Sequence, residues 1–320
     1  MEQPKPMKVL ITEPLDFGQE NLYLLQEIAE VSKGPFPRTD LLKAVEEVDV
    51  LMIRLGHLID KEILDAAGNL KYILTPTTGL NHIDLQEAKR RGVKVISLKG
   101  ETEFLAGIPS TAEHTWALML SLIRKIPAAH HHVMDGNWER DQFKAHNLYH
   151  YKLGILGFGR VGKQISEYAK VFKMPFVFYD INPSLKNHPN AVEGLEQFMA
   201  EIDVLSIHIP LNAANTGFLN ETNLMYLKPS SYIINTSRGE VVDESYLAEM
   251  LIQKKISGLA TDVLHSENAS ETRANNPLIM AAQNLNNIII TPHIAGATYE
   301  SMWKTEEFVI KKFLQKHTVL

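Results

Sequence analysis

The sequence predicts two α/β domains, each built on a doubly wound parallel sheet, and three observations carry that reading. Short apolar, strand-like runs alternate with helical periods twice along the chain, as parallel layers require. A long, mostly apolar helix after Ser110 separates the two alternations, and a glycine triplet follows directly on the first strand of the second. A chain of 320 residues also has room for two domains of ordinary size, each with its own core.

In the first alternation the apolar runs are Val9 to Thr12, Leu22 to Ile28, Val48 to Ile53, Tyr72 to Leu74 and Val93 to Ile96, so residues up to about 100 read as one small doubly wound domain. The next helix is expected to take Ser110 or Thr111 as its N-cap, with Glu113 in the capping-box position, and to run to Lys125. Being apolar on most faces, it should be buried. The second alternation is stronger: Leu153 to Leu156, Phe176 to Tyr179, Val204 to Ile209, Tyr232 to Asn235, Leu259 to Val263 and Ile288 to Thr291. These runs, with helical spacers between most of them, describe a dinucleotide-fold sheet. After His293 a helical tail remains, carrying Met302, Trp303, Phe308, Val309, Ile310 and Phe313, too short to fold except against an earlier domain.

Composition narrows the classes. With no cysteine, a disulfide framework, a thiolate metal site and a cysteine nucleophile are excluded, and a reducing, cytoplasmic location is expected. Met1 to Lys8 lead into no apolar core of signal-peptide length, and no apolar stretch approaches the roughly 18 residues of a spanning helix. Thirty-two basic against thirty-eight acidic residues give a formal charge of −6 without a basic cluster, so neither membrane nor nucleic acid is an expected partner.

Gly157-Phe-Gly159-Arg160-Val161-Gly162 sits between the strand Leu153 to Leu156 and a helical run from Val161 to Val171, the context a dinucleotide fingerprint needs. Gly157 would make the tight turn, Gly159 would admit the pyrophosphate to the backbone, and Gly162 would let helix and sheet close up. The helix N-terminus would present N–H groups and a positive dipole end to the phosphates. Three such glycines alone can be simple turns. Asp180, closing the next strand, strengthens the reading as the carboxylate for the ribose hydroxyls. It would repel a 2′-phosphate, and Ile181 to Leu185 supply no cation to accept one, so NAD is favoured over NADP.

Three further strings place polar residues at expected strand ends: Asn235 to Gly239 with Arg238, Thr261-Asp262-Val263 with Glu267 beyond, and Thr291-Pro292-His293. Reduction of a ketone by hydride needs a proton donor, which His293 can be near neutrality. Glu267 would favour the imidazolium and select the nitrogen that faces substrate. Arg238 would offer a permanently charged fork to a carboxylate or polarised carbonyl. Taken singly, Arg238 could cap a turn, Glu267 could be a solvated acid and His293 a satisfied buried histidine. Three successive strand ends downstream of a nucleotide fingerprint favour the joint catalytic reading.

These strings, with Gly79-Leu-Asn-His-Ile-Asp84, Thr111-Ala-Glu113-His114, Trp138 with Arg140, and His208-Ile-Pro210-Leu, resemble the D-isomer-specific 2-hydroxyacid dehydrogenases over nearly the whole chain. The branch most similar is that of the phosphoglycerate dehydrogenases. The resemblance implies a flavodoxin-like substrate domain of residues 1–103 plus 292–320, with a Rossmann NAD-binding domain over 104–291. It implies catalysis by Arg238, Glu267 and His293 on a small 2-oxo or 2-hydroxy acid held between the domains. Substrate contacts are implied at Arg54, Thr78, Gly79, Asn81, Arg238 and His293. NAD contacts are implied at Gly157, Gly159, Arg160, Val161, Gly162, Asp180, His208, Pro210, Thr216, Thr236, Ser237, Arg238, Asp262, His293, Ala295 and Gly296. It further implies a homodimer formed through the cofactor domain, with the helix after Ser110 contributing. The co-repressor branch of the same family offers a different expectation, an NAD-sensing binding protein with this fold.

Departures bear on substrate. Leu55-Gly56-His57 stands where that branch carries a second basic residue after the arginine matching Arg54, which puts phosphate recognition in doubt, although His57 or Arg54 could partly substitute, so D-3-phosphoglycerate or a related small hydroxy acid is the expected substrate. The chain stops at Leu320, so regulation through appended C-terminal domains is not expected. The loop after Glu267 lacks the usual proline and is lengthened by Asn268 to Asn276. His130, His131 and His132 point in different directions on a helix and read as surface, while His146 and His150 have a metal-like spacing without a further ligand, so no metal is expected. Asn220-Glu-Thr222 and Asn268-Ala-Ser270 match glycosylation acceptors, which carry no meaning without secretion.

Overall fold

The computed structural model describes residues 6–267 and 269–317. The chain divides into two compact units, one of residues 1–107 and 297–320, the other of residues 108–296. The turn that carries His293 therefore lies in the second unit, a few residues short of the boundary.

The first unit is a five-stranded parallel sheet: β1 (Met7–Ile11), β2 (Ala29–Lys33), β3 (Val50–Met52), β4 (Tyr72–Leu74) and β5 (Lys94–Ile96), in the order β2-β1-β3-β4-β5. Strand order reverses between β1 and β3, the switch point of a flavodoxin-like sheet. The central strands are covered on both faces, which is why β3 and β4 are continuously apolar. Strand β2 has no apolar run in the sequence. It is an edge strand, half exposed along Ala-Glu-Val-Ser-Lys, and among the described residues it pairs with β1 alone. The C-terminal helix Tyr299–His317 packs on this unit as the tail required, burying Val309, Ile310 and Phe313, with Phe313 set edge-on to Tyr72 at 5.0 Å.

The second unit contains β6 (Leu153–Leu156), β7 (Phe176–Tyr179), β8 (Val204–Ile207), β9 (Tyr232–Asn235), β10 (Gly258–Thr261) and β11 (Ile288–Ile290), all parallel, in the order β11-β10-β9-β8-β6-β7. A seventh element, absent from the sequence reading, borders β7: Phe178 N–H donates to Asn190 O at 2.9 Å and Val192 N–H to Phe178 O at 2.9 Å, leaving a single parallel bridge at Ala191. Counting that bridge as a shortened third strand restores the 3-2-1-4-5-6 order of the Rossmann sheet, with a further strand beyond it.

The helix Ser110–Ile123 covers one face of this sheet, Ala112, Trp116, Met119, Leu122 and Ile123 packing with Ile155, Phe178, Ile234 and Ala260. Its expected cap does not form. Pro109 precedes the first turn, Ser110 lies inside the helix, and no side chain caps it. The helix ends at Ile123, with Lys125 in a left-handed conformation before a second helix, Ile126–Met134. The segment read as a long loop after Glu267 is partly helical, with helices Ser270–Ala274 and Pro277–Ala282; Asn268 lies outside the described residues. Among the described residues no helix is long and apolar enough to cross a membrane.

The register of the second sheet matters most for the site. Leu156 pairs with Ile207, Ile207 with Asn235, Asn235 with Thr261, and Thr261 with Ile290. Five strands thus end level. The residues that follow, Gly157, His208, Thr236, Asp262 and Thr291, all begin turns at one edge.

Candidate active site

After β6 the chain turns at Gly157, whose φ of 93° lies in the left-handed region and whose missing side chain leaves room for His208 O, 2.8 Å from where a Cβ would stand. A Cβ on Gly162 would meet Gly157 O at 2.3 Å, so the helix Arg160–Val171 can sit against the turn only as glycine. Beside Gly159 there is open space, with no atom within 4 Å of a Cβ position. A tight turn, a close-packed helix and an open approach to its N-terminus are what a dinucleotide pyrophosphate requires. Arg160 reaches back to Ile108 O at 3.0 Å, and Val161 is half buried in the first turn.

Asp180 follows β7 and bridges two loops, accepting from Phe158 N–H at 2.7 Å and Asn182 N–H at 2.8 Å. Its neighbour Ile181 is 88% exposed and offers no charge. His208 follows β8 and shares a hydrogen bond of 2.8 Å with Ser206 Oγ. Burial, reinforced by the Arg160 charge, lowers its pKa to about 3, so it is a neutral polar group here. Pro210 is exposed and accepts from Asn215 Nδ2 at 2.8 Å, and Thr216 Oγ1 donates to Asn212 O at 3.0 Å, which closes that loop on itself.

The turn after β9 is braced by Asn235, whose Oδ1 accepts from Ser237 N–H at 3.0 Å and Ser237 Oγ at 2.9 Å, while its Nδ2 donates to Arg238 O at 3.0 Å. Arg238 donates to Ser237 O at 2.6 Å. Burial lowers its pKa, opposed by the Glu267 and Glu240 charges; arginine remains a cation through such a shift. Gly239 decides how this turn meets the next. A Cβ there would lie 2.1 Å from Leu264 C and 2.2 Å from His265 N, so two backbones touch where no side chain fits.

That second backbone leads to Glu267. One of its carboxylate oxygens accepts from Leu264 N–H at 3.1 Å, which fixes the turn, and the other is hydrogen-bonded to His293 Nδ1. Ser266, at φ 53°, and His293, at φ 54°, both occupy the left-handed region, an uncommon conformation held only where neighbours over-determine it. With Nδ1 committed to a carboxylate, Nε2 is the nitrogen left to exchange a proton.

Asp262 supplies the over-determination. Its carboxylate is buried and accepts from Thr291 Oγ1 at 2.5 Å, Ile294 N–H at 2.9 Å and Ala295 N–H at 2.8 Å, with His114 Nε2 3.3 Å away. Its main-chain carbonyl accepts from His293 N–H at 2.8 Å. Burial alone would raise its pKa, but these donors outweigh it and hold the group below the usual carboxylate range. Ala295 is buried by this arrangement and Gly296 is exposed beyond it.

The remaining sequence candidates belong to the first unit. Arg54 follows β3 by two residues, and its fork is already engaged: Nε and Nη2 bond Glu306, which is 0% exposed, and Nη1 donates to Leu15 O at 3.0 Å. The backbone around it is held by Glu13, which accepts from Arg54 N–H at 2.7 Å and Gly56 N–H at 2.6 Å. The loop after β4 is different. Thr77 Oγ1 donates to Gly79 O at 2.8 Å and shapes it, Thr78 and Asn81 are exposed, and among the described residues the N–H groups of Thr78, Gly79 and Asn81 find no acceptor. A carboxylate is the natural partner of such a row.

Sequence reasoning did not foresee the roles of Asn235, Gly239, Glu13 and Glu306. The first two lay within quoted strings. The two glutamates reveal themselves only by distant partners.

Residues 116–295 match the model of the D-isomer specific 2-hydroxyacid dehydrogenase, NAD binding domain. The chain is 30% identical over 309 residues to a hydroxypyruvate reductase of Thermotoga maritima, covering 97% of this chain and 98% of that one. The chain belongs to the D-isomer specific 2-hydroxyacid dehydrogenase family. Another relative in this family, the D-3-phosphoglycerate dehydrogenase of Archaeoglobus fulgidus, is 33% identical over 300 residues, which cover 92% of this chain but only 54% of that protein. Among solved structures, the D-lactate dehydrogenase of Aquifex aeolicus complexed with NAD and lactic acid matches with a TM-score of 0.82 at 26% identity, over 97% of this chain and 95% of that one. The dehydrogenase uses NAD, and the glycine cradle and open helix N-terminus fit that cofactor.

The close approach at Gly239 gives a direct test of the geometry. Gly239→Ala should push the Arg238 turn away from the Leu264–Glu267 turn, cost about 1–3 kcal/mol in urea unfolding and lower kcat. A variant of unaltered stability would show that the two backbones are not in contact.

Proposed function

We propose that the chain interconverts a small, unphosphorylated D-2-hydroxy acid and its 2-oxo acid, with Arg238, Glu267 and His293 at the reacting carbon. The hydrogen bond from His293 Nδ1 to Glu267, with the half-buried Arg238 cation close enough for its charge to feel that carboxylate, carries this reading. Bound NAD supplies or accepts the hydride. For the chain's own part, Arg238 orients the substrate carboxylate or polarised carbonyl, and His293 Nε2 gives the alcohol its proton and recovers it on oxidation. Glu267 stabilises the imidazolium. The amides of Thr78, Gly79 and Asn81 would hold the substrate carboxylate.

Gly157, Gly159 and Gly162 with the first turn at Arg160 and Val161 would hold the pyrophosphate, and Asp180 the ribose. His208, Pro210, Thr216 and the Thr236–Ser237 turn would line the cofactor path, with Asp262, Ala295 and Gly296 at its reactive end. The unphosphorylated substrate is supported by Arg54, whose cation is paired with buried Glu306 and three of whose five N–H donors are taken up by Glu306 and Leu15 O. Hydroxypyruvate and glyoxylate fit that limit. A homodimer through the cofactor domain is supported by the apolar surface after the long helix, where Ile126 is 52%, Met134 64% and Trp138 87% exposed. The absence of cysteine suits a cytoplasmic location.

NADH oxidation at 340 nm across glyoxylate, hydroxypyruvate, 3-phosphohydroxypyruvate, pyruvate and branched-chain 2-oxo acids tests the reaction. We expect saturable turnover on an unphosphorylated member, lowered roughly 10²–10⁴-fold by His293→Ala; a variant with full turnover removes His293 from the chemistry. Asp180→Ala should narrow the preference for NADH over NADPH, and an unchanged preference would place ribose recognition elsewhere. Trp138→Glu should shift sedimentation from dimer to monomer, whereas a monomeric unaltered protein would reject the dimer.

A further inference from the structure

We propose that His114 and Thr115 are positioning residues that hold the two catalytic turns in register from one rigid helix, a proposal that rests on the roles given above to Arg238 and His293. Both residues lie in the second turn of the helix Ser110–Ile123, whose neighbours Ala112, Trp116 and Met119 are buried in the core. Consecutive helical side chains diverge by about 100°, so these two can reach different turns.

Thr115 reaches the Arg238 turn. Its hydroxyl donates to Thr111 O at 2.6 Å, which leaves its oxygen to accept from Thr236 Oγ1 at 2.7 Å, two residues before Arg238. His114 reaches the His293 turn. Its Nε2 stands 3.0 Å from Thr291 Oγ1 and 3.3 Å from Asp262 Oδ1. The single hydroxyl proton of Thr291 is committed to Asp262 at 2.5 Å, so towards His114 the Thr291 oxygen can only accept. Nε2 therefore carries a proton and is shared between the two oxygens.

Asp262 passes this restraint on through Ile294 N–H, Ala295 N–H and its carbonyl bond to His293 N–H, the contacts that hold His293 left-handed. Neither His114 nor Thr115 enters the chemistry. Each acts through a hydroxyl or carboxylate on the turn it grips, and the helix between them sets the spacing of cation and acid.

The test uses His114→Phe and Thr115→Val, which keep bulk but remove the polar contact, beside His114→Gln and Thr115→Ser, which restore a donor or hydroxyl. The first pair should lower kcat on the preferred 2-oxo acid roughly 10–100-fold with a much smaller change in KM, and the second pair should recover most of it. His114→Asn, polar but too short to reach, should behave as the phenylalanine variant does, which separates reach from folding. A readout independent of turnover is the rate of His293 carbethoxylation by diethyl pyrocarbonate, resolved by mass spectrometry. It should change several-fold in His114→Phe and stay unaltered in His114→Gln, while the exposed His130 and His131 keep their rates. Unchanged kcat and His293 reactivity in His114→Phe, or a glutamine variant as impaired as the phenylalanine one, would overturn the proposal. An unaltered protein silent on every 2-oxo acid would reject the proposed function instead, and carbethoxylation would still decide this one.

Discussion

Register between parallel strands is the constraint from which the active site follows. Because β6, β8, β9, β10 and β11 end at paired residues, the turns that carry His208, Arg238, Asp262 and His293 start from the same edge of one sheet. A slip of one residue in any pair would turn that strand's side chains to the opposite face and displace the turn beyond it. The apolar strand residues are buried on both faces and resist such a slip, so hydrophobic burial in the sheet becomes precision at its edge.

The turns are then locked by charge. A buried carboxylate is costly unless its oxygens are satisfied, and Asp262 meets that demand by drawing in Thr291, Ile294 and Ala295. The chain closing around it is forced through His293 in a left-handed conformation, and that orientation delivers Nδ1 to Glu267. Arg238 is partly desolvated, and the negative charges of Glu267 and Glu240 oppose the effect of that burial on its guanidinium. A similar compensation appears in the first unit, where Glu306 cancels Arg54 and Glu13 takes the neighbouring amides. Charge compensation there ties a cation legible in the sequence to a buried acid of the same unit.

What escaped the sequence did so for identifiable reasons. Strand β2 and the bridge at Ala191 are edge elements with one sheet neighbour each, so neither needs an apolar run. The capping pattern at Ser110 was overridden by Pro109, after which the helix begins at the serine itself. Ser270–Ala274 turned helical within a segment rich in loop-forming residues. The pairing of Arg54 with Glu306 was hidden because nothing within the arginine's own stretch hints at a partner 252 residues away.

The sequence by itself determined the alternation of strands and helices, the cofactor fingerprint and the identity of the three polar residues proposed for catalysis. Those signals are local: periodicity, glycine spacing and residue type are set by sterics within a few neighbours. Tertiary structure alone decided that Gly239 abuts Leu264 and His265, that Thr236 answers Thr115, and that His114 joins Asp262 across 148 positions of chain. Such contacts arise only when the sheet brings remote turns together. Burial then leaves each polar group no partner but the one the fold supplies.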